Sequence, residues 1–405
     1  MLNTAVRRAT KWISFQSIDS AMPMRGQIGG VSFGKKPVLT LKPDYILKPL
    51  HSDHRGFREI AFYEAIQLAY QSINRKGSGG AAVAAAALIT AGGVDYGLTK
   101  DVGNDANSVI DSCDTLAMRV AEYMQDAVVA KSGHTVISSW RIMMKEIELL
   151  RRLSTFTPPY YGIMGQELIV SNPTETPSTP PSPKGLISSS AHLLLSDATA
   201  NFSRPCAIDL KMGQQSYEPD APRDKCEREI RKYPQQKEFG FRIVGMRIYD
   251  PEHPESDKFG FKRFDKFFGR SRHDRESVEN AFRSFFSIAP SSCEQMYGGN
   301  ENEERCSLSS SEKVNCHVRT RVIMNLLAQL RVVRGWFEEN TALAFYSSSI
   351  LMVYEGDMSV GSNRDVTDLK MIDFSHVRRQ AGGDSGYLHG IDTVFGILKA
   401  ILQEA

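Results

Sequence analysis

The sequence predicts an α+β fold in two lobes, on three observations. Short apolar runs that read as strands are strand-rich in number and interspersed with stretches whose apolar residues recur at helical spacing. No internal repeat is present. The 405 residues suffice for two lobes with a sizeable core.

The elements follow in order. Val38 to Leu50 contains an apolar run ending in Ile46-Leu47-Lys48, a predicted strand. Arg58 to Ile73 reads as a helix with Phe62, Ile66, Ala69 and Ile73 on one side, and Ile137 to Leu153 as a second, on Trp140, Met143, Ile147 and Leu150. Pro158-Pro159 stop the latter. Ala191 to Leu195 and Cys206 to Lys211 read as strands, and Arg223 to Tyr233 as a polar helix ended by Pro234. Phe241 to Tyr249 alternates like a strand, with a bulge-prone Gly245. Val318 to Phe337 is a long helix, and Ser348 to Tyr354 with Leu369 to Phe374 form a hairpin. Three stretches break the pattern: 77–107 is rich in Gly and Ala, 171–190 holds five prolines among Ser and Thr, and 288–315 is polar and irregular. They read as flexible insertions.

Composition narrows the function. Lys+Arg number 49 against 47 Asp+Glu, for a net charge of +2. That balance excludes an extended basic surface for nucleic acid but not a small, concentrated anion site. Six scattered cysteines without a C-x-x-C pair read as reduced thiols. No segment has the length of a membrane span. Met1 to Ile18 lacks acids and carries Arg7, Arg8 and Lys11 without a signal-peptide core, and reads as an undocked tail, with a mitochondrial presequence as the alternative.

Two phosphate-loop patterns nearly match. Gly29 to Lys36 resembles G-x-x-x-x-G-K-[ST], but Lys36 replaces the hydroxyl residue and Pro37 precedes a strand where a helix is needed. Gly77 to Ala82 fits G-x-G-x-x-[GA] without the preceding strand. Neither is read as a nucleotide site.

The strongest signal is Pro205-Cys206-Ala207-Ile208-Asp209-Leu210-Lys211-Met212-Gly213. In a strand, Asp209 and Lys211 project to one face. Lys225, Arg228, Glu229 and Lys232 fall at i, i+3, i+4 and i+7, one helical stripe, and three cations there suit a substrate bearing several phosphates. Met371-Ile372-Asp373-Phe374 delivers an acid at the end of an apolar strand, the arrangement of the D-F-G metal aspartate of protein kinases. Lys48 is placed like their strand lysine and Glu59 like their helix glutamate, yet no H-R-D-x-x-x-x-N loop exists. An ordinary protein kinase is therefore not expected.

Taken in order, the P-x-x-x-D-x-K-x-G run from Pro205, Ser347 to Leu351 with Tyr354-Glu355-Gly356, Ile372-Asp373-Phe374, and Asp384 to Gly390 resemble the inositol polyphosphate kinase family. The resemblance spans roughly Gln27 to the C-terminus outside the insertions. Arg55 to Tyr63, Gln214 to Pro219 and Tyr233-Pro234 look most like its multikinase branch.

The resemblance implies a two-lobed kinase fold distantly related to protein kinases, with long low-complexity insertions. A flexible tail spans 1–24, an N-terminal lobe 25–195 and a hinge 196–200. A C-terminal lobe of 201–405 carries the inositol-phosphate-binding helix 223–233. ATP and Mg²⁺ are the implied cofactors. Lys48 matches the lysine on the nucleotide phosphates, and Ser196, Asp197 and Ala198 the hinge that holds adenine through backbone groups. Asp209 matches the acid that contacts the nucleotide, and Asp373 the metal-binding acid. Lys211 matches the lysine on the substrate and the moving phosphoryl group, so Lys211, Asp373 and Asp209 are the implied catalytic residues. Lys225, Arg228, Glu229, Lys232, Arg247 and His376 match substrate-binding positions. Two departures stand out: multikinases often carry glutamines where this chain has Arg228 and Glu229, and Ser196 stands where an acid is common. Glu229 is expected to turn aside to Arg228 or Lys225.

The implied function is ATP- and Mg²⁺-dependent phosphorylation of inositol tris- and tetrakisphosphates toward the pentakisphosphate. Two alternatives stand beside it: hexakisphosphate kinase or trisphosphate 3-kinase activity, and a non-catalytic scaffold on the same fold. Inositol polyphosphates and ATP are the expected partners, with no nucleic acid, in a monomer of the cytoplasm or nucleus that meets protein partners through its insertions.

Overall fold

A computed structural model of the chain describes residues 21–24, 27–28, 36–41, 44–51, 54–73, 144–164, 191–287, 319–360 and 365–404. The three predicted insertions, the tail as far as residue 20, the glycine patterns at 29–35 and 77–82, and Trp140 and Met143 lie outside the described residues. The chain divides into two compact units: residues 1–24, 36–197 and 373–379 form the first, and 25–35, 198–372 and 380–405 the second. The boundary at 197/198 falls inside the predicted hinge. The assignment differs from the predicted lobes at 25–35, which group with the second unit although 25–195 was expected to be one lobe, and at 373–379, which group with the first although 201–405 was expected to be one lobe. The expected tail 1–24 also pairs before it ends, at Met22.

In the first unit, β1 (Met22–Pro23), β2 (Leu39–Thr40), β3 (Tyr45–Pro49), β4 (Tyr160–Met164) and β5 (His192–Ser196) make one sheet in the order β1-β2-β3-β5-β4. Every pairing is antiparallel. Alternation along β3 sends Leu47 into a core with Leu41, Met164 and Leu194, so Lys48 points to the other face. Helix α1 (His54–Ile73) packs against α2 (Met144–Leu153). The residues α1 buries, Ile60, Phe62, Tyr63, Ile66 and Ala69, recur at helical spacing. Glu59 is fully buried on the same helix.

The second unit is built on a five-stranded antiparallel sheet. Its strands are β6 (Pro205–Met212), β7 (Phe241–Tyr249), β8 (Phe261–Phe264), β10 (Ser349–Glu355) and β11 (Thr367–Ile372), in the order β11-β10-β6-β7-β8. A short β9 (Leu343–Phe345) precedes β10. The predicted polar helix is α3 (Arg223–Lys232), followed by a single turn, α4 (Gln236–Phe239). Helices α5 (Lys266–Arg270) and α6 (Arg275–Phe286) start at Asp265 and Asp274, whose carboxylates accept from backbone N–H groups of the first turn. The long helix α7 (Thr320–Glu339) buries Ile323, Leu326, Leu330, Val333 and Trp336, and packs against α8 (Ser385–Glu404).

β6 is the central strand. Ile208, Leu210 and Met212 are fully buried on the side where α8 packs, and alternation places Ala207, Asp209 and Lys211 on the opposite face. The predicted irregularity in β7 is present. Asp209 pairs with Gly245 and Leu210 with Ile243, so Val244 is an extra residue.

Several motif residues prove to be joints of the fold. Asp384 accepts from the N–H groups of Phe345 (2.7 Å) and Tyr387 (2.8 Å), tying the start of α8 to β9. Burial holds its carboxyl above the ordinary value. Glu355 accepts from the N–H groups of Ser203, Arg204 and Asp357, and Arg319 donates to the carbonyls of Glu355 and Gly356. Gly390 lets α8 cross the Gly240 turn, because a Cβ there would lie 2.1 Å from the Gly240 carbonyl oxygen. Gly390→Ala is therefore expected to destabilise the protein by about 1–3 kcal/mol, the range for overpacking a close contact. Urea unfolding measures this, and an unchanged midpoint would show that α8 has room to shift.

Candidate active site

The first cluster lies in the first unit. The ammonium of Lys48 is 2.5 Å from Glu59 Oε1 and 2.5 Å from Asp373 Oδ1. Burial alone would lower the Lys48 pKa, but Asp373 and Glu59 outweigh it and push the pKa up, so the ammonium is fixed in its charged form. Glu59 also accepts from the Phe374 N–H at 3.2 Å. Its Oε2 is buried, with no hydrogen-bond partner among the described residues.

The Asp373-Phe374 pair divides its work. Asp373 adopts a left-handed backbone, φ +66°, a conformation aspartate tolerates better than most residues. Its carboxylate remains about one-third exposed. Phe374 is fully buried, with ring centroids 4.8 Å from Phe62 and 5.3 Å from Tyr63 of α1. Tyr63 stacks in turn on Tyr160 at 5.6 Å. The buried ring thus anchors the segment that carries the exposed acid. One carboxylate beside a cation, partly open to solvent, suits a Mg²⁺ that takes most of its remaining oxygens from a nucleotide and water. Among the described residues no group of three or more His, Cys, Asp or Glu could hold a metal alone. His376, three residues on, is half-buried in the same unit.

At the predicted hinge, the N–H of Ser196 donates to Pro159 and that of Asp197 to Asp44, each at 2.9 Å. These two donors are spent inside the sheet.

The second cluster lies in the second unit. The ammonium of Lys211 donates to the carbonyl of Ser347 at 2.8 Å. Ser347 is left-handed at φ +58° and its hydroxyl donates to the Ser216 carbonyl. Ser348 donates to the Ile372 carbonyl at 3.0 Å and its own carbonyl accepts from Met212. The serine run thus fixes the lysine. Asp209 is buried between the Leu351 and Gly245 rows.

Helix α3 departs from the predicted stripe. Lys225, Glu229 and Lys232 are half-buried, whereas Arg228 is exposed and pairs with Asp224 at 3.7 Å. At 100° per residue Arg228 lies on the opposite flank of the stripe from Glu229, and that flank faces solvent. Lys225 lies 3.7 Å from the buried Glu218. Glu229 does not turn to Arg228 or Lys225. It bonds Lys232 and lies 3.9 Å from Arg242. Burial would raise the Glu229 pKa, but Lys232, Arg242 and Lys211 together hold it below the ordinary value.

Arg247 is also placed differently from expectation. It pairs with Ala207, donates to the Pro205 carbonyl at 3.0 Å and lies over the Phe261 ring. The arginine in register with Lys211 is Arg242. The two arginines are five positions apart in sequence, which would put them on opposite faces of a regular strand. The extra residue Val244 puts both on the Lys211 face, about 13 Å apart along it.

The family model described as inositol polyphosphate kinase matches residues 192–399, just over half of the chain. The chain belongs to the inositol polyphosphate kinase family. It is similar to the human inositol polyphosphate multikinase, 30% identical over 208 residues that cover 51% of this chain and 38% of that protein. It is also similar to the human inositol hexakisphosphate kinase 3, 26% identical over 242 residues covering 52% and 51%. The chain thus spans about half, or less, of the length of these relatives. Among solved structures, the Saccharomyces cerevisiae multikinase Ipk2, in complex with ADP and Mn²⁺, aligns with a TM-score of 0.42 at 22% identity, over 62% of this chain and 90% of that one. Lys48 and Glu59 lie outside the matched range, so their meeting with Asp373 is independent of it.

Beside the first cluster, Glu64 of α1 accepts from the Tyr160 hydroxyl, and burial raises its pKa from 4.5 to about 7. The folded form then keeps its proton where the unfolded chain has lost it. Stability is accordingly highest below pH 4.5 for this group and falls as pH rises to about 7, by at most about 3 kcal/mol. Glu64→Gln should remove that slope and raise the melting temperature at pH 8. An unchanged pH profile would show that Glu64 is ionised in the fold.

Proposed function

We propose that this chain is an ATP- and Mg²⁺-dependent inositol phosphate kinase of the multikinase type, which phosphorylates inositol tris- and tetrakisphosphates toward the pentakisphosphate. The observation that carries the reading is the Lys48–Glu59–Asp373 cluster, in a chain whose family match runs through that aspartate to residue 399. Phosphoryl transfer needs positioning and charge neutralisation rather than covalent help from the protein.

Lys48 would neutralise the nucleotide phosphates, with Glu59 fixing its direction. Asp373 would hold Mg²⁺, which supplies further positive charge against the triphosphate. Ser196, Asp197 and Ala198 would receive the adenine, and Asp209 is the further acid assigned to the nucleotide. Lys211, steered by the Ser347 carbonyl, would stabilise the moving phosphoryl group. Lys225 and Lys232 would bind phosphates already on the ring, with His376 a further contact. Arg228 and Arg247 are weaker members of this set, since one pairs with Asp224 in solvent and the other holds a backbone carbonyl. Cys206 and Cys226 are free thiols and no described helix is long and apolar enough to cross a membrane. The proposed enzyme acts as a monomer of the cytoplasm or nucleus.

Asp373→Ala and Lys211→Ala are expected to lower turnover of labelled ATP with inositol trisphosphate by at least about a thousandfold, with circular dichroism unchanged. Full activity in folded Asp373→Ala would sink the metal assignment. A wild-type protein that makes no phosphorylated product would favour the scaffold.

A further inference from the structure

Glu229 poses an electrostatic problem for the acceptor reading. A carboxylate on the half-buried side of α3 opposes binding of an anionic ring unless a cation compensates it. Lys232 does so here, but a lysine bound to Glu229 is not available to a phosphate. Arg242 is the second partner. Its side chain is nine-tenths buried, it stands directly across from Lys211, and its Nη1 is buried without a hydrogen-bond partner among the described residues. The Lys232 side chain is one-third exposed and carries its charge on a flexible stem. The two cations differ in mobility, and they share one carboxylate.

We propose that Arg242 is a positioning residue of the acceptor site: it retains Glu229 when Lys232 leaves it for a phosphate of the incoming substrate. This rests on the acceptor reading of α3. In the resting protein Glu229 is shared by Lys232 and Arg242. When a phosphate arrives, Lys232 exchanges the carboxylate for it, and Glu229 closes on Arg242. No buried charge is left unpaired at either stage, which removes the main cost of breaking the Lys232–Glu229 pair. The chain can thereby carry an acid in its phosphate-binding helix and still present Lys211 and Lys232 as a net positive pair.

The test is a double-mutant cycle on Arg242→Met and Glu229→Gln, read by steady-state kinetics with ATP and inositol trisphosphate varied in turn. Arg242→Met is expected to raise the KM for inositol trisphosphate about tenfold, leaving that for ATP within about twofold. Adding Glu229→Gln to it should recover most of the loss, because an amide no longer needs a counter-ion. A double variant as impaired as Arg242→Met alone would overturn the proposal in favour of plain packing, as would an unchanged KM in Arg242→Met. Should Arg242→Met fail to fold, Arg242→Ala paired with Glu229→Gln gives the same comparison. Calorimetric binding of inositol trisphosphate to the wild-type protein separates the two levels. No binding there overturns the acceptor reading and this proposal together, whereas binding with no rescue overturns only the role of Arg242.

Discussion

A buried carboxylate demands a cation, and Glu59 is as buried as any residue in this chain. Leaving it unpaired would cost several kcal/mol. The cation is Lys48, which Glu59 shares with an aspartate 325 residues further along from that lysine. This demand ties together β3, α1 and the 373–379 segment. It also explains why that segment groups with the first unit although its sequence neighbours belong to the second. Phe374 strengthens the tie by filling the space against Phe62 and Tyr63, so Asp373 can keep a strained backbone and an open carboxylate.

The second unit solves a different problem, that of holding like charges close together. β6 offers Lys211 on one face while its other face is locked against α8. The Ser347 carbonyl accepts from the lysine and so directs it, while the Ser348 hydroxyl ties the run to Ile372. On α3 the cations are tethered by Glu218 and Glu229, both on the inner side. These carboxylates keep the positive charges from repelling one another in the absence of an anion.

Much of this was legible in the sequence. Short apolar runs located β3, β5, β6, β10 and β11, alternation located β7, and helical spacing located α1, α3 and α7, each within a few residues. The Lys48, Glu59 and Asp373 relation was legible as a pattern because the residue types on strand, helix and strand end are those that phosphate chemistry uses. Arg242 was not, since only the extra residue Val244 brings it to the Lys211 face, and a one-residue bulge leaves no mark on the alternation except a glycine beside it. The exposure of Arg228 was likewise hidden, because helical spacing fixes neighbours on a face but not which flank meets solvent. The grouping of 373–379 depends on a long-range ion pair that no local pattern encodes.

On the proposed reading the chemistry is phosphoryl transfer to phosphorylated inositols, and the two charged clusters would supply its residues. The most direct test is to offer the purified protein γ-labelled ATP with inositol tris-, tetrakis- and hexakisphosphates in separate reactions and to resolve the products by anion-exchange chromatography. Label moving from the tris- and tetrakisphosphates into a pentakisphosphate, with the hexakisphosphate unchanged, is the predicted result. Label appearing only on the hexakisphosphate, or on none of the three, would contradict the account.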